Sequence, residues 1–563
     1  HSTATDTLDF KNGISFAGAQ RTVLVENGQA SEDAVLSGVL FGGNSSGLRK
    51  TGTGVLSLTN ANTYEGTTTV SGGVLRLQNA NALPSGNLEI TDGGIVGLGA
   101  GDLTSRTLGI GENQIQWTGE GGFAAFGSDR AVKFSGGSIN WSAENFIGAA
   151  RRLLLSHETA DATLDWQQRI SLAGSKRIVQ VDDGLAGIDA KMSGVVAGGT
   201  SGTSKNIFNK TGDGTLAFTA QNNYWGETIV SLGTLMIGDG GTSGGVSENS
   251  ESIFVDSGAT LAVNRSDTVT QGTSPFMAAV SGNGGFAQVG SGKTVLVLAN
   301  TYTGPTSVTV GTLALGASNT LPDASDLSIG DAVLDVSTYS NTVGILDVTG
   351  AASIRLGNGA ALSFADSSAR EWTGGTLEIS GEFVSGSSLR FGTSVDGITE
   401  AQLEKISVSD FTNFALDADG YLTANSGLSG YAAWGATNAP STGNNPTADE
   451  DGDGVANGLE YVLGGLISTN DISKLPDLSV TGGNFVFTFD RAQASIDGTT
   501  NVEILVSPDL ENWPTSYPVP DGPTESNPGV RVVKDSRDGY DTVTLTLPQG
   551  QDVKKFARLN VTP

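Results

Sequence analysis

Twelve residues from Asp449 to Glu460, DEDGDGVANGLE, put carboxylates at the first, third, fifth and last positions of one short segment. A hard divalent cation takes six to eight oxygen ligands, and Ca²⁺ tolerates an irregular shell of carboxylates, carbonyls and water. The spacing meets that need at each defined position. Asp449, Asp451 and Asp453 supply side-chain oxygens, and Gly454 allows the sharp turn after them. Val455 offers its main-chain carbonyl, and Asn457 stands where a bridging water is often held. Glu460 can chelate with both oxygens, and LEYVL begins a helix there. The segment is expected to bind Ca²⁺; the plainer alternative is an acidic, solvated loop.

Other chemistry is poorly served. The chain has no cysteine and two histidines, His1 and His157, so thiol catalysis and thiolate zinc sites are absent. Copper held by His1 would need His157 as its second imidazole, and a solvated terminus is simpler. Gly43-x-Ser45-x-Gly47 and Gly241-x-Ser243-x-Gly245 spell a nucleophile elbow, but neither joins a strand to a helix. Ser291-Gly292-Lys293-Thr294 ends like a phosphate loop, yet the required first glycine falls at Ala287. Gly292 aligns instead with Gly52, which opens a strand. Asp182-Asp183 reads as a turn rather than a catalytic pair. Trp225 and Tyr302 could stack on sugars, but a tyrosine ladder inside the fold is the simpler reading. The chain is not expected to be an enzyme.

With 563 residues the chain exceeds one compact core. It has 81 glycines and a formal charge of −29, from 59 acidic and 30 basic residues. That charge argues against nucleic acid and against docking on anionic lipid. No apolar run is long enough for a transmembrane helix, and no signal peptide follows His1, as expected of a processed mature form.

The elements that must carry these residues are repeats. TLDFKNGISFAGAQRTVLV from Thr7 recurs as TLDWQQRISLAGSKRIVQV from Thr163. KTGTGVLSLTNANTYEGTTTV from Lys50 recurs as KTGDGTLAFTAQNNYWGETIV from Lys210, and a partial third copy runs from Ser291. Tyr-x-Gly returns at Tyr64, Tyr224 and Tyr302, each followed by an alternating strand. Short strands with Gly, Asn and Thr turns describe stacked β rungs, each buried against its neighbours.

These repeats resemble the autotransporter passenger-associated β-strand repeat over roughly residues 1–425. The resemblance implies an all-β fold, a right-handed parallel β-helix (solenoid), on the surface of a Gram-negative-type bacterium. It implies a structural or adhesive role, or less often an enzyme. Autotransporters end in a membrane β-barrel that this sequence does not spell, so another export route is expected. The loop at Asp449 resembles EF-hand-like loops of extracellular proteins, and a structural role, stiffening the joint between solenoid and C-terminal module, is expected of it.

Three segments follow: a β-helix over 1–425, a helical linker with the Ca²⁺ loop over 426–475, and a small β-sandwich over 476–563. Alternation in NFVFTF from Asn484 and VTLTL from Val543 marks the last; its SPDLENW and FARLNV pieces resemble C-terminal modules of secreted bacterial repeat proteins. The expected function is that of an extracellular structural or adhesive solenoid, possible filament subunit included. Its partners are then copies of itself, head to tail, or a cell-surface or matrix glycan or protein. A carbohydrate-binding or polysaccharide-cleaving β-helix is the alternative.

Overall fold

Short strands with apolar residues on alternate positions can bury one face only by stacking, and in this chain they stack in parallel. The computed structural model describes residues 3–200, 205–428, 430–438, 445–466, 469–527, 529–550 and 554–562. His1 and the polar stretch 439–444 lie outside them. Two compact units emerge. One comprises residues 1–409 and 414–423, the other 410–413 and 424–563.

The first unit is a parallel β-helix. A sheet of 12 strands and one of 15 run along it, with smaller parallel sheets on the remaining faces. A turn takes between 19 residues, where Leu56 pairs with Leu75, and 34, where Arg130 pairs with Leu164. The wide turns are filled by rings. Trp117 meets Phe123, Phe134 and Phe146 edge-on at 5.1–5.9 Å between centroids, and Trp166 meets Phe134 at 5.7 Å. Aromatic pairs in this geometry add to what their area burial gives.

Each repeat places the same three polar side chains in the core. Asn62 accepts from the Leu40 N–H (2.9 Å) and donates to the Ala82 carbonyl (2.8 Å). Asn222 does so between Val196 and Gly245 (2.8 Å each), and Asn300 between Val280 and Thr320 (2.8 Å each). One amide therefore ties three successive stretches of backbone whose polar groups would otherwise be buried unpaired. Tyr64, Tyr224 and Tyr302 are fully buried, each hydroxyl 2.6 Å from that of the threonine four residues on. They form no ladder, because each packs on a phenylalanine instead: Phe16, Phe208 and Phe286, at 5.2–6.3 Å.

The third is a buried donor. Lys50 Nζ donates to the carbonyls of Gly52 (2.6 Å) and Gly72 (2.9 Å). Lys210 Nζ donates to those of Gly212 (2.5 Å), Leu232 (2.8 Å) and Gly214. Gly73 and Gly233 crowd these ammonium groups so closely that a Cβ would collide with them. In the third copy Gln288 takes the place, donating to Gly290 (2.6 Å) and Gly292 (3.4 Å). Gly290 is thus the counterpart of Gly52, and Gly292 of Gly54; the sequence alignment of Gly292 with Gly52 is two residues out.

Burial lowers both lysines to about 8, against partial compensation by Asp33 and Glu26 around Lys50 and by Asp189, Asp213, Asp182 and Asp183 around Lys210. The charged form is disfavoured in the fold. Between pH 8 and about 10.5 the unfolded chain keeps protons that the folded chain has released, so these lysines make stability rise with pH in that window and leave it flat below. Relative to a Lys50→Gln/Lys210→Gln variant, the wild type should gain roughly 1–2 kcal/mol per lysine from pH 8 to 10. Calorimetry of both proteins checks this, and a pH-independent difference would refute it.

The second unit holds two helices, α1 (Gly430–Asn438) and α2 (Asn457–Leu463), and eight strands: β1 (Asp477–Thr481), β2 (Asn484–Ala492), β3 (Asn501–Ser507), β4 (Thr515–Pro518), β5 (Thr524–Asn527), β6 (Val530–Arg537), β7 (Tyr540–Pro548) and β8 (Phe556–Thr562). The strands form two antiparallel sheets, β1-β2-β7-β6-β5 and β4-β3-β8. Phe485, Phe487 and Phe489 from the first sheet and Val502, Ile504 and Val506 from the second share one core, which Tyr431, Tyr461, Val462 and Leu463 of the helices join. The stretch 426–475 therefore does not stand apart as a linker. Its helices bury their apolar residues in the core of the strands that follow.

Candidate metal centre

The acidic loop folds around its own carboxylates. Asp449 accepts from the N–H groups of Gly452 and Gly454 (2.8 Å each), Asp451 from that of Asp453 (3.1 Å), and Asp453 from that of Val455 (2.7 Å). Gly452 and Gly454 hold φ of +76° and +90°, which lets the chain double back tightly enough to aim the three side chains together. One oxygen from each of Asp449, Asp451 and Asp453 lies within 4.8 Å of the other two.

Glu460, on α2, feels the charges of Asp449, Asp451 and Asp453, while among the described residues the three aspartates alone bring ligand oxygens this close together. Seven residues are too few for a helix to persist alone, and the N-cap, Ala456, makes no side-chain bond. What holds α2 is Tyr461, Val462 and Leu463 in the core. That packing carries Glu460 inward to 1% exposure, where neither carboxylate oxygen has a hydrogen-bond partner. Burial, then the charges of Asp451, Asp453, Asp471 and Asp449, push Glu460 up to about 7. An unpartnered buried carboxylate facing four others is costly unless a cation joins them. The donors are all oxygen, with no nitrogen or sulfur among them, which fits Ca²⁺ rather than a transition metal.

The other expected ligands are placed differently. Val455 is buried beside the loop, its N–H held by Asp453. Asn457 accepts from the Glu450 N–H (3.1 Å) and donates to the Asn445 carbonyl (3.3 Å), closing the loop on itself. Asp471 enters from outside the twelve-residue pattern. Its N–H donates to Asp453, and its carboxylate accepts from the Leu466 N–H (2.6 Å) and pairs with Lys474 at 3.1 Å. No spacing rule points to Asp471; the turn after α2 delivers it.

On the β-helix the other candidates stay apart. The His157 ring lies 2.9 Å from the Thr159 hydroxyl and accepts the Thr159 N–H at the same nitrogen, Nδ1. Burial lowers it. Asp182 accepts from Gln180 (2.7 Å) in the loop after strand Lys176–Val181. Lys293 pairs with Asp335 (2.8 Å), and Thr294 bonds Gln288 (2.6 Å), which leaves no phosphate cradle there. Tyr302 is too deeply buried to meet a sugar.

Comparison with known families finds the passenger-associated-transport-repeat at residues 48–77, 208–237 and 286–315. These are the three windows that share the buried amide, tyrosine and lysine or glutamine. The chain carries three copies of this repeat. It is similar to the Adhesin BmaC autotransporter of Brucella suis biovar 1 (strain 1330), 29% identical over 481 residues, an alignment that covers 64% of this chain and 14% of that relative. No solved structure matches it. Among the described residues, no helix of the chain is long and apolar enough to cross a membrane.

Proposed function

We propose that this chain is an adhesive segment of a secreted or surface-displayed protein of a Gram-negative bacterium, without enzymatic activity. The observation that carries the reading is the set of three passenger repeats built into one continuous β-helix, in a chain similar to a protein named as an adhesin. The polar groups of the repeats support it further, since they hold backbone rather than face outward. The partner is a cell-surface or matrix glycan or protein. Ca²⁺ is its cofactor, held by Asp449, Asp451, Asp453 and Glu460, with Val455 and Asn457 shaping the loop, and its role is structural. Head-to-tail association into a filament is the finer form of the same reading.

Saturable binding of the purified chain to arrayed glycans or matrix proteins, with no new reducing ends, is the expected result. Sugar release would make the chain an enzyme, and silence on every surface would remove adhesion. Negative-stain microscopy with about 2 mM Ca²⁺, in the range of weak extracellular sites, and with EGTA tests association. Filaments weakened by Asp451→Ala are expected if it polymerises, and isolated particles in both conditions reject the filament.

A further inference from the structure

The two sheets of the C-terminal unit are unequal, five strands against three, and the smaller one stops short of the larger. In the β1–β2 pairing Leu478 stands opposite Phe487 and Val480 opposite Phe485, so both face the side on which those phenylalanines are buried. Yet Leu478 is 50% exposed and Val480 62%. Among the described residues the facing sheet ends at β8, which pairs with β3 along one side and with no strand along the other. Where a fourth strand would lie, α2 occupies one end: it packs on both β2 and β8, and its Tyr461 hydroxyl donates to the Ala494 carbonyl at 2.9 Å. The other end is a groove lined by Leu478, Val480, Phe485, Gln549, Lys554 and Phe556, with Lys555 beside them.

The shape of this gap is that of a missing strand. Its floor is apolar on alternate residues, and its far wall reaches Phe556, the first residue of the β8 edge. Such an edge accepts an added strand through main-chain hydrogen bonds, while side-chain pockets select its sequence. Its charge is unlike that of the rest of the chain. In a protein of net charge −29, the charged groups that line this groove among the described residues are Lys554 and Lys555. Asp477, next to Leu478, falls on the opposite face of the sheet. A basic rim over an apolar floor complements an extended segment in which apolar and acidic residues alternate.

We propose that this groove receives an extended strand of a partner protein, alternately apolar and acidic, which pairs with the free edge of β8 and covers Leu478 and Val480. The incoming strand completes the smaller sheet at the end that α2 leaves open. This site is separate from the cation loop, so it stands whether or not Ca²⁺ binds there.

The test uses the full chain and a fluorescein-labelled peptide of sequence DVTVDVTV. Its controls are the same peptide N-methylated at alternate amides and one with lysine in place of aspartate. Fluorescence anisotropy should show saturable binding of the parent peptide. Val480→Asp and Lys554→Glu, both at exposed positions and both checked for an unchanged melting temperature, should each weaken it at least fivefold. The N-methylated peptide should fail, because it cannot form the ladder, and the lysine peptide should bind at least fivefold more weakly. Absence of saturable binding, equal binding of the N-methylated peptide, or indifference to Val480→Asp would each overturn the proposal. A dimer of the chain that Val480→Asp dissolves would assign the groove to a second copy and overturn it as well.

Discussion

Glu460→Gln will stabilise the C-terminal unit in EGTA and lose most of that advantage over wild type in calcium. Without a cation the wild-type carboxylate is buried, has no hydrogen-bond partner, and faces Asp449, Asp451, Asp453 and Asp471. At pH 8, above its raised value of about 7, it is mostly ionised. An amide in its place leaves polar atoms unpaired but removes the charge, and unpaired buried groups cost about 1–3 kcal/mol each, more when charged. A gain of roughly 1–2 kcal/mol for the variant follows. With Ca²⁺ the gap closes. A site with a dissociation constant of about 10⁻⁴–10⁻³ M gains about 1–2 kcal/mol at ~2 mM Ca²⁺. The variant, lacking the bidentate ligand, should lose affinity about a hundredfold or more and gain almost nothing. Titration calorimetry gives the affinity, and scanning calorimetry of both proteins with Ca²⁺ and with EGTA shows whether the gap closes. A variant less stable than wild type in both conditions would mean that Glu460 has a structural partner and that no cation is needed there.

The second large effect belongs to the β-helix. Asn222→Ala removes the acceptor for the Val196 N–H and the donor to the Gly245 carbonyl, with both groups left in a dry core. The two orphaned groups should cost about 2–4 kcal/mol together. Asn222→Asp should cost at least as much, since it keeps the acceptor, loses the donor and buries a charge. Because rungs contact only their neighbours, the damage should be local. Hydrogen exchange should speed up at Val196 and in the strands Asn206–Thr211 and Thr215–Phe218, while strands beyond Leu327 keep their protection. Uniform acceleration along the whole unit would show a single cooperative block instead.

The β-helix was legible because its signal is repetition. Tyr-x-Gly and the alternating strand recur in three windows, and stacked short strands are the one way to bury such a pattern. The roles of Asn62, Lys50 and Tyr64 inside those windows were not legible. Asn62 and Lys50 act on backbone from a neighbouring turn, Asn62 on Leu40 and Ala82 and Lys50 on Gly72, and Tyr64 packs on Phe16 from another turn. The distance along the chain to that backbone depends on how wide the turn is. The placement of the copies depends on it too. Lys50 lies in the six-stranded sheet and Lys210 in the twelve-stranded one, because the broad aromatic turns between Trp117 and Trp166 shift the second copy to another face.

The candidate metal centre divides in the same way. Asp449, Asp451, Asp453 and Gly454 come together through hydrogen bonds within a few residues, so the twelve-residue spacing alone determines their grouping. The depth of Glu460, the turn of Asn457 toward Asn445, and the arrival of Asp471 were decided by tertiary structure. They follow from α2 burying Tyr461, Val462 and Leu463 against β2 and β8, contacts that span up to about a hundred residues of chain. Local order is written in spacing, because a turn or a strand needs only its neighbours. Burial, and the charge state that burial imposes on Glu460 or Lys210, belongs to the packed whole.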